Sequence, residues 1–184
     1  TSTSEKYENQ VLAKLNVEDP EATAFIIPVP WFYPEESTDP TSIHMTRVRL
    51  EAGLAPNCRI DPPLAMVDLT EENYYTFTNA QGESREIMIT GKRTKSAKCN
   101  LMTFTLTKPY QIEGFIDDDK KEVYLFTTDD LNGFSGEATV CAHATLQTDL
   151  TVKKNYNNEQ EVTVMAQDEK TTCTYKIIKK YPNK

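Results

Sequence analysis

Tyr75-Thr76-Phe77-Thr78-Asn79-Ala80-Gln81-Gly82 reads as a strand running into a tight turn. It recurs, respelled, as Val162-Thr163-Val164-Met165-Ala166-Gln167-Asp168-Glu169, 87 residues further on. Large apolar side chains alternating with threonine give the period of two that a half-buried strand requires. The next strand recurs as well. Ile87 and Ile89 become Tyr175 and Ile177 at a spacing of 88, so the second hairpin holds one more residue. Upstream, Leu15 and Val17 correspond to Phe104 and Leu106. A period of about 90 residues is too long for a solenoid and suits a whole small β domain. The expected fold is all-β: two tandem immunoglobulin-like β-sandwich domains.

Composition fits this reading. The chain has 184 residues, 38% of them hydrophobic, with no apolar run approaching the length of a membrane span. The formal charge of −8 argues against nucleic-acid binding, which needs a basic stripe. Residues 1–10, beginning Thr1-Ser2-Thr3-Ser4-Glu5-Lys6, are small and polar and are expected to be a flexible tether. Such a start suits either an arbitrary edge of a longer chain or the stretch left behind an export signal.

Period-two alternation dominates the rest. Val11, Ala13, Leu15 and Val17 place four apolar side chains on one strand face. Ala24 to Pro34 is apolar but holds Pro28, Pro30 and Pro34, which cannot donate to a ladder and so belong at an edge or bulge. Ile43 to Glu51 reads as a strand with Val48 and Leu50 inward, followed by short strands near Asn57 to Asp61 and Met66 to Leu69. Asn73 to Asn79 and Ser84 to Thr90 form a hairpin whose turn uses Gly82. Tyr75 and Phe77 face the core and Tyr74 faces away. The basic, polar run Gly91 to Lys98 marks the boundary, so the first domain is expected over 11–93, a linker over 94–100 and the second domain over 101–181. In that second domain, Ala138, Val140, Ala142, Ala144 and Leu146 alternate along one strand, and the closing pair is Glu161 to Ala166 with Thr172 to Lys179.

The run Leu50-Glu51-Ala52-Gly53 through Ile60-Asp61-Pro62-Pro63, Val67-Asp68-Leu69-Thr70, Tyr75 to Gly82 and Ile87-Met88-Ile89-Thr90 resembles a repeated domain of poorly defined function found in Bacteroidetes cell-surface lipoproteins. Gly114-Phe115-Ile116-Asp117, Asp130-Leu131 and Val162 to Asp168 carry the same resemblance in the second half. It departs at Glu169, where that family prefers glycine. The resemblance implies a β-sandwich exported and held at the outer membrane by a lipidated cysteine ahead of Thr1. It implies no catalytic residue.

Signals for chemistry are few. His44 and His143 fall in different domains. Cys141-x-His143 has no third ligand or orienting carboxylate near it in sequence. Gly133-Phe134-Ser135-Gly136 is half a nucleophile elbow, with Glu137 where that motif needs glycine, and reads as a surface turn. Asp117-Asp118-Asp119 and Asp129-Asp130 have no EF-hand spacing and read as solvated turns. The sequence thus points to no enzyme, no cofactor and no metal. Among the cysteines, alternation puts Cys173 inward and Cys141 outward, an awkward pair for a bridge, while pairing of Cys58 with Cys99 stays open.

The sharpest local feature is Pro28-Val29-Pro30-Trp31-Phe32-Tyr33-Pro34-Glu35. A strand buries only alternate residues, so part of this aromatic triplet is expected to be exposed. Trp31 and Tyr33, beside Glu35, are therefore the expected ligand-binding residues, because flat rings next to a carboxylate suit a glycan. The function expected is a non-catalytic surface module binding glycan or an envelope protein. The competing expectation is a structural spacer that holds another unit away from the outer membrane.

Overall fold

The computed structural model describes residues 12–182. It is all-β, with 46% of residues in strands and 2% in helix. The chain divides into two compact units, Thr1–Lys95 and Ser96–Lys184, each with its own apolar cluster.

Unit 1 contains β1 (Ala24–Pro30), β2 (Val48–Arg49), β3 (Arg59–Asp61), β4 (Met66–Val67), β5 (Asn73–Thr78) and β6 (Ser84–Thr94). Four of these form a sheet in the order β1-β6-β5-β3, and β2 pairs with β4 in a separate two-stranded ladder. The proline-bearing β1 lies at the edge, paired in parallel with β6 alone, so its missing N–H groups interrupt no second ladder. In the β5–β6 hairpin Tyr75 is buried and Phe77 packs against the cluster, while Tyr74 stays exposed. Gly82 turns the chain at φ +86, a conformation that costs an L side chain but not glycine.

Several expectations for unit 1 are corrected. The tether 1–10 and Val11 lie outside the described residues. Leu12 to Glu18 forms no strand: Leu12 is buried, but Leu15 and Val17 are 39% and 57% exposed. Alternation supplies a face but not a partner, and no strand pairs with this segment. Most of Ile43 to Glu51 is irregular: Thr41–Ile43 is a 3-10 turn, and only Val48 and Arg49 are strand, although Val48 and Leu50 do point inward. Thr94, expected to open the linker, is instead the last residue of β6, which runs through Gly91 to Thr94 against β1. Gly91 sits so close to Leu69 that a Cβ would lie 2.9 Å from the Leu69 Cβ.

Unit 2 is the fuller sandwich. Its strands are β7 (Leu101–Lys108), β8 (Ile112–Glu113), β9 (Phe115–Asp117), β10 (Glu122–Phe126), β11 (Asn132–Val140), β12 (Thr145–Leu146), β13 (Lys154–Asn155), β14 (Gln160–Met165) and β15 (Thr172–Lys180). They form sheets in the orders β12-β14-β15-β10-β9 and β13-β11-β7-β8. The core is filled from both, with Phe104, Leu106 and Phe134 from the smaller sheet meeting Val123, Leu125, Val162, Val164, Tyr175 and Ile177 from the larger. The long alternating strand expected from Ala138 to Leu146 is interrupted. β11 ends at Val140, a turn with His143 at φ +62 follows, and β12 resumes at Thr145. Gly133 to Gly136 is not a surface turn. It lies within β11, with Phe134, Ser135 and Gly136 buried.

Cys99 is bonded to Cys173, with their Cα atoms 5.5 Å apart, while Cys58 and Cys141 are free. The bond is neither Cys141–Cys173 nor Cys58–Cys99. The bond joins the entry of β7 in one sheet to β15 in the other, a relation set by tertiary packing rather than by local alternation.

Candidate functional site

The outer face of the larger sheet in unit 2 carries a row of aromatic rings. Along β10, Val123 and Leu125 turn inward, and the pleat therefore sends Tyr124 and Phe126 outward. On β9, Phe115 lies opposite Tyr124 and also points out. The Phe115 and Tyr124 rings are nearly parallel, 8° apart in plane and 6.4 Å between centroids, and Phe126 continues the row 6.1 Å from Tyr124. Phe115 is 61% exposed and Phe126 53%.

Charge surrounds these rings. The Tyr124 hydroxyl donates to the Glu122 carboxylate, and this bond, more than any other influence, raises the phenol above its ordinary pKa. Lys180, opposite Phe126 on β15, holds its ammonium 5.3 Å from the Tyr124 centroid. Asp117 accepts from Lys120 at 2.9 Å. A flat apolar row edged by carboxylates and ammonium groups offers a stacking face with hydrogen-bonding groups beside it. The sequence carried this signal. Phe115, Tyr124 and Phe126 fall on the polar-facing positions of two alternating strands, but as scattered single aromatics they form no contiguous motif like the triplet at Trp31.

That triplet is placed differently. Beyond β1 the chain bends, with an isolated bridge between Phe32 and Pro40, and Trp31, Phe32 and Tyr33 are all half-buried. Tyr33 packs against the core of unit 1. The Arg93 guanidinium lies 3.9 Å from the Trp31 ring centroid, and its Nη2 donates to the Trp31 carbonyl at 2.7 Å. Arg93 Nε also donates to Thr41 Oγ1 at 3.2 Å, and the buried Thr41 donates its N–H to the Trp31 carbonyl at 3.1 Å. These contacts fasten the 31–41 loop to β6. Burial lowers the Arg93 pKa from its ordinary value. Glu35 is half-buried in the same loop.

A second polar knot lies in unit 2. The buried Tyr175 hydroxyl donates to Asp118, and accepts from the Leu101 N–H and from Lys121, each at 3.2 Å. Asp118 also accepts from Lys121 at 2.7 Å and from Asn100 at 2.8 Å. The bonds from Lys121 and then Tyr175 hold its carboxyl below the usual range, against the opposing effect of burial. In the Asp129-Asp130 pair, Asp129 accepts from the Tyr110 hydroxyl at 2.8 Å, and Asp130 accepts from the Asn132 N–H at 3.1 Å. Among the described residues no three or more His, Cys, Asp or Glu side chains are gathered as a metal site. The two histidines lie in separate units.

Unit 1 has a groove of about 920 Å³. Its walls are the inner face of the four-stranded sheet, the Leu12 to Glu18 segment and the stretch from Val48 to Ala55.

Residues 1–91 match a family described as a domain of unknown function (DUF5018), and residues 101–179 match a second one (DUF8499). The two halves are thus similar to two separately defined families. The comparison with curated proteins found no match. Among solved structures, a "putative glycoside hydrolase" from Bacteroides thetaiotaomicron aligns with 50% of this chain and 27% of its own, at 15% identity and a TM-score of 0.40. A DUF4623 family protein from Bacteroides eggerthii aligns with 46% of this chain and 22% of its own, at 22% identity and a TM-score of 0.34. The chain therefore spans about a quarter of the length of these structures.

Proposed function

We propose that this chain is a non-catalytic binding module that holds glycan against the outer aromatic row of unit 2. The observation that carries this reading is the exposure of Phe115 and Phe126 on either side of Tyr124, with Glu122 and Lys180 at its edge. An exposed row of large rings on one sheet face is unfavourable in water unless a partner covers it. Each ring adds about 0.5–1.5 kcal/mol beyond the buried area, by analogy with aromatic pairs, so one short glycan binds weakly. Useful binding then relies on many copies at a surface. In this reading the protein is exported and held at the outer membrane by a lipid anchor outside this chain. The Cys99–Cys173 bond supports export, since disulfides persist in oxidising compartments.

A glycan array probed with the intact chain, followed by calorimetry on its best hit, tests the proposal. We expect F115A/F126A to lose at least tenfold in affinity while keeping its melting temperature, since both side chains are exposed. The spacer reading is favoured by one observation: Trp31 is fastened under Arg93 rather than offered outward. An array on which the unaltered chain binds nothing supports the spacer.

A further inference from the structure

Among the described residues, the groove in unit 1 lies where unit 2 has a further strand, and unit 2 shows what fills such a place. The large sheets run in matching order, β1-β6-β5-β3 in unit 1 and β10-β15-β14-β12 in unit 2. Both begin with a parallel pair and continue through the same hairpin. The second sheets differ. In unit 2 the ladder of β13 with β11 continues onto β7, whereas in unit 1 the corresponding β4–β2 ladder stops. Leu69 N–H to Met45 O in unit 1 matches Tyr156 N–H to Leu131 O in unit 2, and Leu50 N–H to Ala65 O matches Gly136 N–H to Leu150 O. This equates Leu50 with Gly136, Ala52 with Ala138 and Leu54 with Val140.

The counterpart of β7 is present in the chain. Leu12, Leu15 and Val17 stand 89 residues before Leu101, Phe104 and Leu106. Leu12 is already buried like Leu101, at 4% exposure each, whereas Phe104 and Leu106 are sealed in the core and Leu15 and Val17 are not. Meanwhile Phe25, Ile27, Ile60, Phe77, Ile87 and Ile89 line an open groove beside them. Two fasteners that hold β7 are missing here. Tyr175, whose hydroxyl binds the Leu101 N–H, corresponds to Ile87, and Cys173 corresponds to Arg85.

We infer that the groove is a strand-acceptor site and that its occupant is the chain's own Leu12 to Val17. The segment docks antiparallel to Leu50 to Leu54. By the register of β7 on β11, Val17 lies opposite Leu50, Leu15 opposite Ala52, Lys14 opposite Gly53 and Leu12 opposite Leu54. Leu15 and Val17 enter the groove, and the β2–β4 ladder gains a third strand. The chain's own segment is the favoured occupant because Leu12 is already seated, which gives the rest of the segment a high effective concentration. With neither disulfide nor tyrosine anchor, docking rests on side-chain burial and backbone pairing and is reversible.

Hydrogen exchange on the intact chain tests this. Docking makes alternate amides between Ala13 and Val17 exchange at least tenfold more slowly than the Lys14 to Val17 stretch would if unpaired; uniformly fast exchange overturns the inference. V17D, harmless if Val17 stays exposed, should lower the melting transition of unit 1 by about 5 °C or more. No shift in that transition overturns docking. The occupant is identified by K14C/G53C in a C58S background. The matching pair in unit 2, Thr103 and Thr139, touches through hydroxyls 2.7 Å apart, and a Cβ on Gly53 meets nothing within 4 Å. Mild oxidation should give a disulfide within one chain, faster than in the out-of-register K14C/E51C. Disulfide-linked dimers would assign the groove to a second copy's strand and overturn the choice of occupant.

Discussion

Tyr175 shows how much one side chain can decide. Its ring fills the centre of unit 2 and its hydroxyl joins Leu101, Lys121 and Asp118, tying both sheets to the 117–121 turn. Tyr175→Phe keeps the ring and strands the Leu101 N–H, so chemical denaturation should show a loss of about 1–3 kcal/mol. Asp118 adds a pH dependence. Its folded pKa is lowered, so its contribution is complete above the unfolded value of about 4 and fades as pH falls through the folded pKa. The melting temperature of unit 2 should therefore drop as pH falls below about 4, and Asp118→Asn should flatten that drop. The inward direction of Tyr175 was legible in the sequence, because alternation fixes which face a side chain takes. The partners of its hydroxyl were not, since Asp118 is 57 residues away. The same limit applies to Trp31: its neighbours in sequence suggested an exposed ring, and only the fold brings Arg93 over it.

At the level of strands, the sequence was most readable where a hairpin closes locally. β5, β14 and β15 lie within a residue of where alternation and turn residues place them, and β6 begins where expected but runs four residues further, to Thr94. Reading failed where a strand depends on distant partners. Ile43 to Glu51 has the alternation of a full strand, yet among the described residues only Val48 and Arg49 find a partner, in β4. Gly133 to Gly136 was hidden for the opposite reason. Glycines signal a turn, but here Gly136 lets β11 press against β7, where a Cβ would lie 2.6 Å from the Thr105 carbonyl oxygen. Since that contact is backbone, nothing can swing aside. Gly136→Ala should cost about 1–3 kcal/mol in unit 2, read as a lower denaturant midpoint, and should leave unit 1 unchanged. Gly53→Ala, with open space around it, is the control that should do almost nothing.

Across the whole molecule, the two units differ in what holds them closed. The core of unit 2 is walled by nine strands, whereas unit 1 has six among its described residues and an open groove. Unit 2 also has the Cys99–Cys173 bond, which closes a loop of 74 residues between its two sheets. A crosslink over a loop of that length restricts the unfolded chain enough to stabilise the fold by on the order of 4 kcal/mol. Unit 1 has only the free Cys58. Each apolar cluster is built from residues of its own unit, so calorimetry should resolve two transitions, the lower one belonging to unit 1. Adding a reductant that reaches the Cys99–Cys173 bond should move the upper transition down by more than about 10 °C and leave the lower one in place. Cys99→Ser should reproduce the shift without reductant, and Cys58→Ser should not. A single transition that moves as one under reductant would mean the two cores melt together. The stability of the open unit would then depend on the closed one.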